Sequence, residues 1–134
     1  MPLDPSDILL SKAREDAHLA LLVVDDSTVS DEHLGFFCQQ AVEKGFKSLL
    51  SRLGVTYRRN HDLAGLLDLL KDNAVAFPPE LEQTVILTPF AAAMRYDYLP
   101  VDAEEPFDRR HAVKLMGLAL DWVQTQSPRP ANPD

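Results

Sequence analysis

One amphipathic helix constrains this chain more than any other feature, and its most informative stretch runs from Phe36 to Leu50. Apolar residues recur at the three- and four-residue spacing of a helix face. The stripe consists of Leu34, Phe37, Cys38, Ala41, Val42, Gly45, Ser48 and Leu49. Apolar residues outside the stripe widen this surface, which predicts a second buried contact, either with another helix or with another subunit. A chain built around such an element must pack helix against helix.

Helical spacing recurs in four further segments. They cover about residues 6–26, 63–70, 80–95 and 107–126. Asn60 is a suitable cap for the short third helix, and Thr88-Pro89 should kink the fourth because proline lacks a backbone donor. No segment alternates apolar and polar residues as a strand does. Short connections favour antiparallel neighbours, so the sequence predicts an all-α fold, an antiparallel up-and-down helical bundle of four main helices plus a short helix.

Composition sets the class of protein and excludes several partners. The 134 residues, 46% hydrophobic and 25% charged, predict one globular domain over 1–126 and a disordered tail over 127–134. The longest apolar run, Leu19 to Val24, is far shorter than the ~20 residues of a membrane span. The first residues lack the basic region of a signal peptide, so we expect a cytoplasmic protein without a membrane partner. A net charge of −8 argues against broad binding to DNA, although local basic patches could serve a small anionic ligand.

The residue types that hold metals or act as nucleophiles are sparse. Cys38 is the only cysteine, so neither an intrachain disulfide nor a cysteine-based zinc site can form. Its apolar neighbours predict buried packing for this thiol. His18 and His33 have no partner at ligand spacing. The sequence therefore predicts no metal site and no cofactor.

Four short patterns follow one another between Lys12 and Tyr96. They read Lys12-Ala13-Arg14-Glu15-Asp16, then Gln39-Gln40-Ala41-Val42-Glu43-Lys44 with Lys47 and Leu49-Leu50, then His61-Asp62-Leu63, then Leu87-Thr88-Pro89-Phe90 with Ala93-Met94-Arg95-Tyr96. In this order they resemble the HEPN family, the higher eukaryote and prokaryote nucleotide-binding domain. The resemblance implies an antiparallel helical bundle, commonly dimeric. It also implies one of two activities: metal-independent RNA cleavage, often by toxins, or non-catalytic binding of nucleotides, RNA or a small nucleotidyltransferase.

The ribonucleases of this family carry an Arg and a downstream His with four to six residues between them, and this chain departs from that pattern. Arg14 and His18 have only three residues between them, and Arg110 directly precedes His111. Arg95 has no His at the required distance. Because the chemistry needs an Arg for phosphate charge and a His for proton transfer on neighbouring turns, the sequence favours a protein without catalytic residues.

The candidate ligand site is formed first by Arg95 and Tyr96, since Arg can grip a phosphate and Tyr can stack on a base. Alternatively, Arg95 complements the end of its helix and Tyr96 fills the end of the bundle. A second cluster, Arg58, Arg59 and His61, precedes a helix N-terminus and suits an anion. Its alternative is structural, with Asp62 capping the helix and His61 anchoring the loop.

Arg109 is the last candidate. It joins a phosphate pocket if it faces the same cleft as Arg95, or it is neutralised by the acidic residues that precede it. Lys44 and Lys47, by contrast, are explained by surface solubility.

Three functions remain open. The favoured one is a non-catalytic HEPN-type module that binds a nucleotide, a nucleic acid or a cognate minimal nucleotidyltransferase, as in a toxin–antitoxin pair. The second is a divergent metal-independent ribonuclease toxin that uses Arg95 with Tyr96 or a remote His. The third is a helical homodimer without a ligand.

Overall fold

The computed structural model describes residues 4–60, 62–93 and 107–126, and the regular elements in these ranges are all helical. They are α1 (Pro5–Val23), α2 (Asp31–Arg52), α3 (Leu63–Asp72), a 3₁₀ helix (Pro79–Leu87), α4 (Phe90–Ala93) and α5 (Arg109–Gln126). The described ranges contain no strand. The all-α bundle predicted from periodicity is confirmed. The tail at 127–134 lies outside the described residues.

The helices begin where the sequence supplies a capping oxygen. The side chains of Asp4, Ser30 and Asp62 accept first-turn backbone N–H groups of α1, α2 and α3 at 2.9, 3.2 and 3.1 Å. The cap of α3 is thus Asp62, and the prediction of Asn60 was wrong by two positions. Gly54 follows the end of α2 with φ +74°, a left-handed conformation that glycine adopts without strain.

The core is built around α2, which packs against α1 on one side and α5 on another. Phe46 is fully buried and meets Trp122 of α5 edge to face, with ring centroids 6.4 Å apart. At Gly35 the ring of Phe90 lies so close that a Cβ atom would overlap it. The second buried contact predicted for α2 is therefore made by other helices of the same chain.

The fourth predicted helix takes a different form. In place of a kinked α-helix over 80–95, the chain forms the 3₁₀ helix, and α4 follows after Pro89. Leu81, Thr84 and Leu87 are buried at intervals of three, which matches the three residues per turn of a 3₁₀ helix. A 3₁₀ turn places every third side chain on one face, so this segment buries a narrow stripe with few residues.

None of the described helices is long and apolar enough to cross a membrane.

Candidate functional site

The predicted site residues fall into three groups in the structure. Arg95, Tyr96 and His61 lie outside the described residues. Arg58 and Arg59 are exposed in the connection between α2 and α3. Arg109 lies at the start of α5, where it lines a different cavity. The structure therefore brings Arg58 and Arg109 to separate places.

Arg58 lines a groove of about 430 Å³ that we call the α3 groove. One wall is the connection that precedes α3, and the other is the outward face of α3 itself. The lining consists of Thr56, Tyr57, Arg58, Asn60, Asp62, Gly65, Leu66, Asp68, Leu69 and Asp72. The helix forms this wall because its buried leucines turn inward at 63, 66, 67 and 70. Helical spacing then points residues 65, 68 and 72 outward.

The charges of the α3 groove are mostly negative. Asp62, Asp68 and Asp72 contribute three carboxylates, and Arg58 is the one guanidinium among the lining residues. Arg58 forms no ion pair with the part of the chain that is described. Its donors are therefore available to an anionic group in the groove.

The N-terminus of α3 is already satisfied by side chains of the protein. Asp62 Oδ1 accepts the amide of Ala64 at 3.1 Å, and Thr88 Oγ1 accepts the amide of Leu63 at 3.3 Å. A phosphate in the groove would have to compete with these oxygens for first-turn amides. Recognition of an anion here depends on Arg58 more than on the helix terminus.

A buried polar network of α2 contacts Tyr57, one of the residues that line the α3 groove. Lys47 Nζ lies 3.0 Å from Glu43 Oε2 and 5.4 Å from the ring centroid of Tyr57. The side chains of Lys47 and Glu43 are only 12% and 5% exposed. Gln39, also buried, donates from Nε2 to Glu43 Oε1 at 2.8 Å. This network supports one side of the Tyr57 ring through a cation–π contact.

Surface solubility was therefore the wrong interpretation of Lys44 and Lys47. Lys44 Nζ bonds Asp16 Oδ2 of α1 at 2.6 Å, and the two side chains are 25% and 18% exposed. The two lysines instead join α2 to α1 and to the wall of the groove. Water and salt screen part-buried pairs of this kind less than exposed ones, although removing the charges from water offsets part of the gain.

Arg109 uses its whole guanidinium to hold the connection between α1 and α2. Nε donates to Val24 O at 2.9 Å, and Nη2 donates to Val23 O and Asp26 O at 2.7 and 3.2 Å. Nη1 donates to Val29 O and Asp31 Oδ1 at 3.0 and 2.8 Å. These bonds tie the first turn of α5 to the end of α1 and to the connection that leads into α2.

The cavity beside Arg109, about 480 Å³, is lined by the same connection. Its lining residues do not overlap with those of the α3 groove. The geometry thus gives Arg109 a structural task and leaves Arg58 as the candidate arginine that lines the α3 groove.

Comparison with known proteins gives the family. A model of the HEPN domain matches residues 6–126, from the first turn of α1 to the end of α5. The chain belongs to the HEPN domain family. The crystal structure of ST0689, an archaeal HEPN homologue, is similar over 90% of this chain and 96% of that one. The two are 25% identical and superpose with a TM-score of 0.62. No curated protein matches the chain. The family and fold expected from the four sequence patterns are confirmed.

Sequence reasoning missed the acidic wall of the HEPN domain's groove. Asp68 and Asp72 lie four residues apart on the exposed side of α3, so helical spacing already placed them together. The predicted ligand site was based mainly on arginines and therefore did not include these two carboxylates. Elsewhere, Cys38 is buried, and burial raises the pKa of its thiol to about 12. In the three described ranges, no group of three or more His, Cys, Asp or Glu side chains is placed to hold a metal ion.

Proposed function

We propose that this protein is a non-catalytic HEPN-type module that binds a nucleotide, or the terminal nucleotide of a nucleic acid, in the α3 groove. The observation that carries the proposal is the pairing of Tyr57 with Arg58 on one wall, opposite Asp68 and Asp72 on the other. A groove of about 430 Å³ lies in the size range of small-ligand sites. Membership of a nucleotide-related family supports the same ligand class.

Each wall of the groove suits a different part of a nucleotide. Tyr57 is half-buried and held by Lys47, so its ring is a fixed surface on which a base can stack. Arg58 presents a planar fork of donors that matches two phosphate oxygens. The carboxylates of Asp68 and Asp72 accept hydrogen bonds from exocyclic amines and ribose hydroxyls.

The balance of charge favours a ligand with one phosphate. Three carboxylates and one guanidinium line the groove, so each additional phosphate adds repulsion that Arg58 alone does not offset. A mononucleotide places a single phosphate at Arg58 and its neutral base and ribose against the acidic wall. The net charge of −8 opposes long nucleic acid in the same way. We therefore expect mononucleotides to bind more tightly than triphosphates.

The test compares two neighbouring arginines. Arg58 lines the groove, whereas Arg59 is equally charged and exposed but does not line it. Binding of AMP, GMP, CMP and UMP is measured by calorimetry for the wild type, Arg58→Gln and Arg59→Gln. Loss of a charge-assisted hydrogen bond is worth roughly 1.5–3 kcal/mol, so Arg58→Gln should weaken binding about tenfold or more. Arg59→Gln should change it less than about twofold.

Two results would contradict the proposal. One is the absence of binding by all four mononucleotides at millimolar concentration. The other is an equal loss in both variants, which would mean that Arg58 acts through its charge and not through its place in the groove. Thermal unfolding of each variant serves as the check that the bundle remains folded.

A second candidate function is binding of a cognate minimal nucleotidyltransferase, which would dock on the acidic face of α3. Asp68 and Asp72 on one exposed face, with further acid at Asp62, suit a basic protein surface. Co-expression with a nucleotidyltransferase encoded beside this gene tests it directly. Asp68→Asn with Asp72→Asn should then reduce co-purification, whereas Arg59→Gln should not. Co-purification unchanged by the acidic substitutions would reject this face as the docking site.

A further inference from the structure

Gly65 is the residue of the α3 groove that has no side chain, and the described part of the chain gives no reason for its absence. Glycine weakens a helix because it loses more backbone freedom on folding than any other residue. A Cβ atom at Gly65 would have room, since its nearest neighbour, Asp62 Oδ2, would lie 3.4 Å away. That is an ordinary van der Waals distance, and the next two neighbours also belong to Asp62.

Three of the other four glycines are explained by the fold. At Gly35 and Gly45 a Cβ atom would overlap a neighbouring side chain, and Gly54 has a φ of +74°. Gly117 of α5 has open space around it, as Gly65 does, but it does not line the groove. Gly65 therefore combines an unfavourable residue type with a place in the wall of a ligand-sized cavity. Glycine is the residue that lets a ligand approach the backbone closely.

The carboxylate of Asp62 is divided between two tasks. Its Oδ1 accepts the amide of Ala64 at 3.1 Å and caps α3. Its Oδ2 faces the space above Gly65 and has no hydrogen-bond or ion-pair partner among the described residues. The cap fixes the carboxylate, so Oδ2 is an acceptor held in one direction. We call the space between Gly65 and Asp62 Oδ2 the Gly65 notch.

We propose that the Gly65 notch seats the base of the nucleotide and that Asp62 Oδ2 selects bases that carry an exocyclic amine. The proposal rests on the proposed function, because it places one part of that nucleotide within the α3 groove. A flat ring lies against the backbone at Gly65, where a side chain would hold it away. Tyr57 and Arg58 remain for stacking and for the phosphate.

The selectivity follows from the acceptor character of the carboxylate. An ionised Asp accepts hydrogen bonds and donates none. An exocyclic amine donates to Oδ2, whereas a carbonyl at the same ring position brings two acceptors together and leaves both unpaired. A site built for a hydrogen bond rejects the analogue that lacks it. Asp68 and Asp72, further along the groove wall, are then left for the ribose hydroxyls.

Two matched pairs of ligands test the selectivity. AMP carries an exocyclic amine where inosine monophosphate (IMP) carries a carbonyl, and CMP and UMP differ in the same way. Calorimetry with the wild-type protein measures the four dissociation constants. AMP should bind about tenfold more tightly than IMP, and CMP about tenfold more tightly than UMP. Arg58→Gln should weaken AMP and IMP by the same factor, since the phosphate is common to both.

Asp62→Asn tests the role of Oδ2 while it preserves the helix cap. Asn and Asp cap helices equally well, so the amide oxygen keeps the bond to Ala64 and an NH₂ group takes the place of Oδ2. This donor suits a carbonyl, and the variant should prefer IMP to AMP. The ratio of the two constants cancels the change in net charge. Asp68→Asn, which removes the same charge elsewhere in the groove, should leave the wild-type preference for AMP.

Gly65→Ala tests the seat itself. The methyl group fits the protein, so Tm should rise by about 2 °C. The same methyl group occupies the floor of the notch, so AMP should bind about tenfold more weakly. Gly117→Ala should raise Tm by a similar amount and leave binding unchanged. A substitution that stabilises the fold and weakens the ligand excludes unfolding as the cause of the loss.

The outcomes separate the notch from the groove. Equal binding of AMP and IMP, an unchanged preference in Asp62→Asn, or full affinity in Gly65→Ala would each overturn the Gly65 notch while nucleotide binding remains. Absence of binding by all four nucleotides at millimolar concentration would overturn the notch and the proposed function together.

Discussion

Arg109→Ala is the substitution that best distinguishes a structural arginine from a ligand-binding one. It removes five hydrogen bonds to the connection between α1 and α2, four of them to backbone carbonyls. The side chain is 21% exposed, so water partly replaces the guanidinium. Because of this exposure, we take each bond near the low end of its usual range, at about 0.6 kcal/mol. Five such bonds give a loss of about 3 kcal/mol in the free energy of unfolding. For a domain of this size that lowers Tm by roughly 10 °C.

The neighbouring Arg110 supplies the control. It makes a single ion pair with Asp25 at 2.6 Å, and the two side chains are 77% and 68% exposed. Arg110→Ala should therefore change stability by no more than about 0.5 kcal/mol. Urea unfolding followed by circular dichroism measures both variants. Arg109→Lys should recover only part of the loss, because an ammonium cannot reproduce the planar fork.

Equal stabilities of Arg109→Ala and Arg110→Ala would contradict the structural role of Arg109. A loss below about 1 kcal/mol at Arg109, combined with a loss of nucleotide binding, would return this residue to the ligand site. Binding measured at a temperature well below both melting transitions keeps these two outcomes separate.

The close packing and the buried thiol give two further predictions. Gly35→Ala should destabilise the protein by about 1–2 kcal/mol, since overlap with the Phe90 ring outweighs a gain of about 1 kcal/mol in helix propensity. Gly117→Ala, where nothing lies within 4 Å of the new Cβ, should stabilise it by about 0.5–1 kcal/mol in the same thermal assay. Cys38, with a pKa of about 12, should react with a thiol reagent at neutral pH only as fast as the protein unfolds. Rapid labelling of the native protein would contradict this. The raised pKa of Cys38 should also make stability fall as pH rises above about 9, where only the unfolded thiol ionises. Urea unfolding at pH 8 and pH 10 measures this fall, and equal stabilities at the two pH values would contradict it.

The helices could be predicted from the sequence because each helical pattern is formed by residues three and four positions apart. Periodicity placed α1, α2, α3 and α5 to within a few residues, and the order of four motifs identified the family. The 3₁₀ helix was missed although its signal was present. Leu81, Thr84 and Leu87 recur at intervals of three, and a search for three- and four-residue spacing merges this pattern with that of an α-helix.

The site depended on contacts between distant residues, which a single sequence does not display. Nothing near Arg109 indicates that its partners are carbonyls between the end of α1 and the start of α2, 80 or more positions earlier. The spacing of Glu43 and Lys47 in α2 was visible in the sequence, but the burial of this pair and its contact with Tyr57 were not. By contrast, the acidic wall at Asp68 and Asp72 was local and could have been predicted from helical spacing. The distance along the sequence between contacting residues, more than their chemistry, decided which contacts could be predicted.

The hydrogen bonds of Arg109 join parts of the chain that are synthesised at different times. The carbonyl of Val29 leaves the ribosome 80 residues before the guanidinium that binds it. At ~5–20 residues per second, this interval lasts roughly 4–16 s. Throughout it the α1–α2 hairpin exists without the group that fastens its connection. The connection between α1 and α2 thus gains these bonds only after α5 has been made.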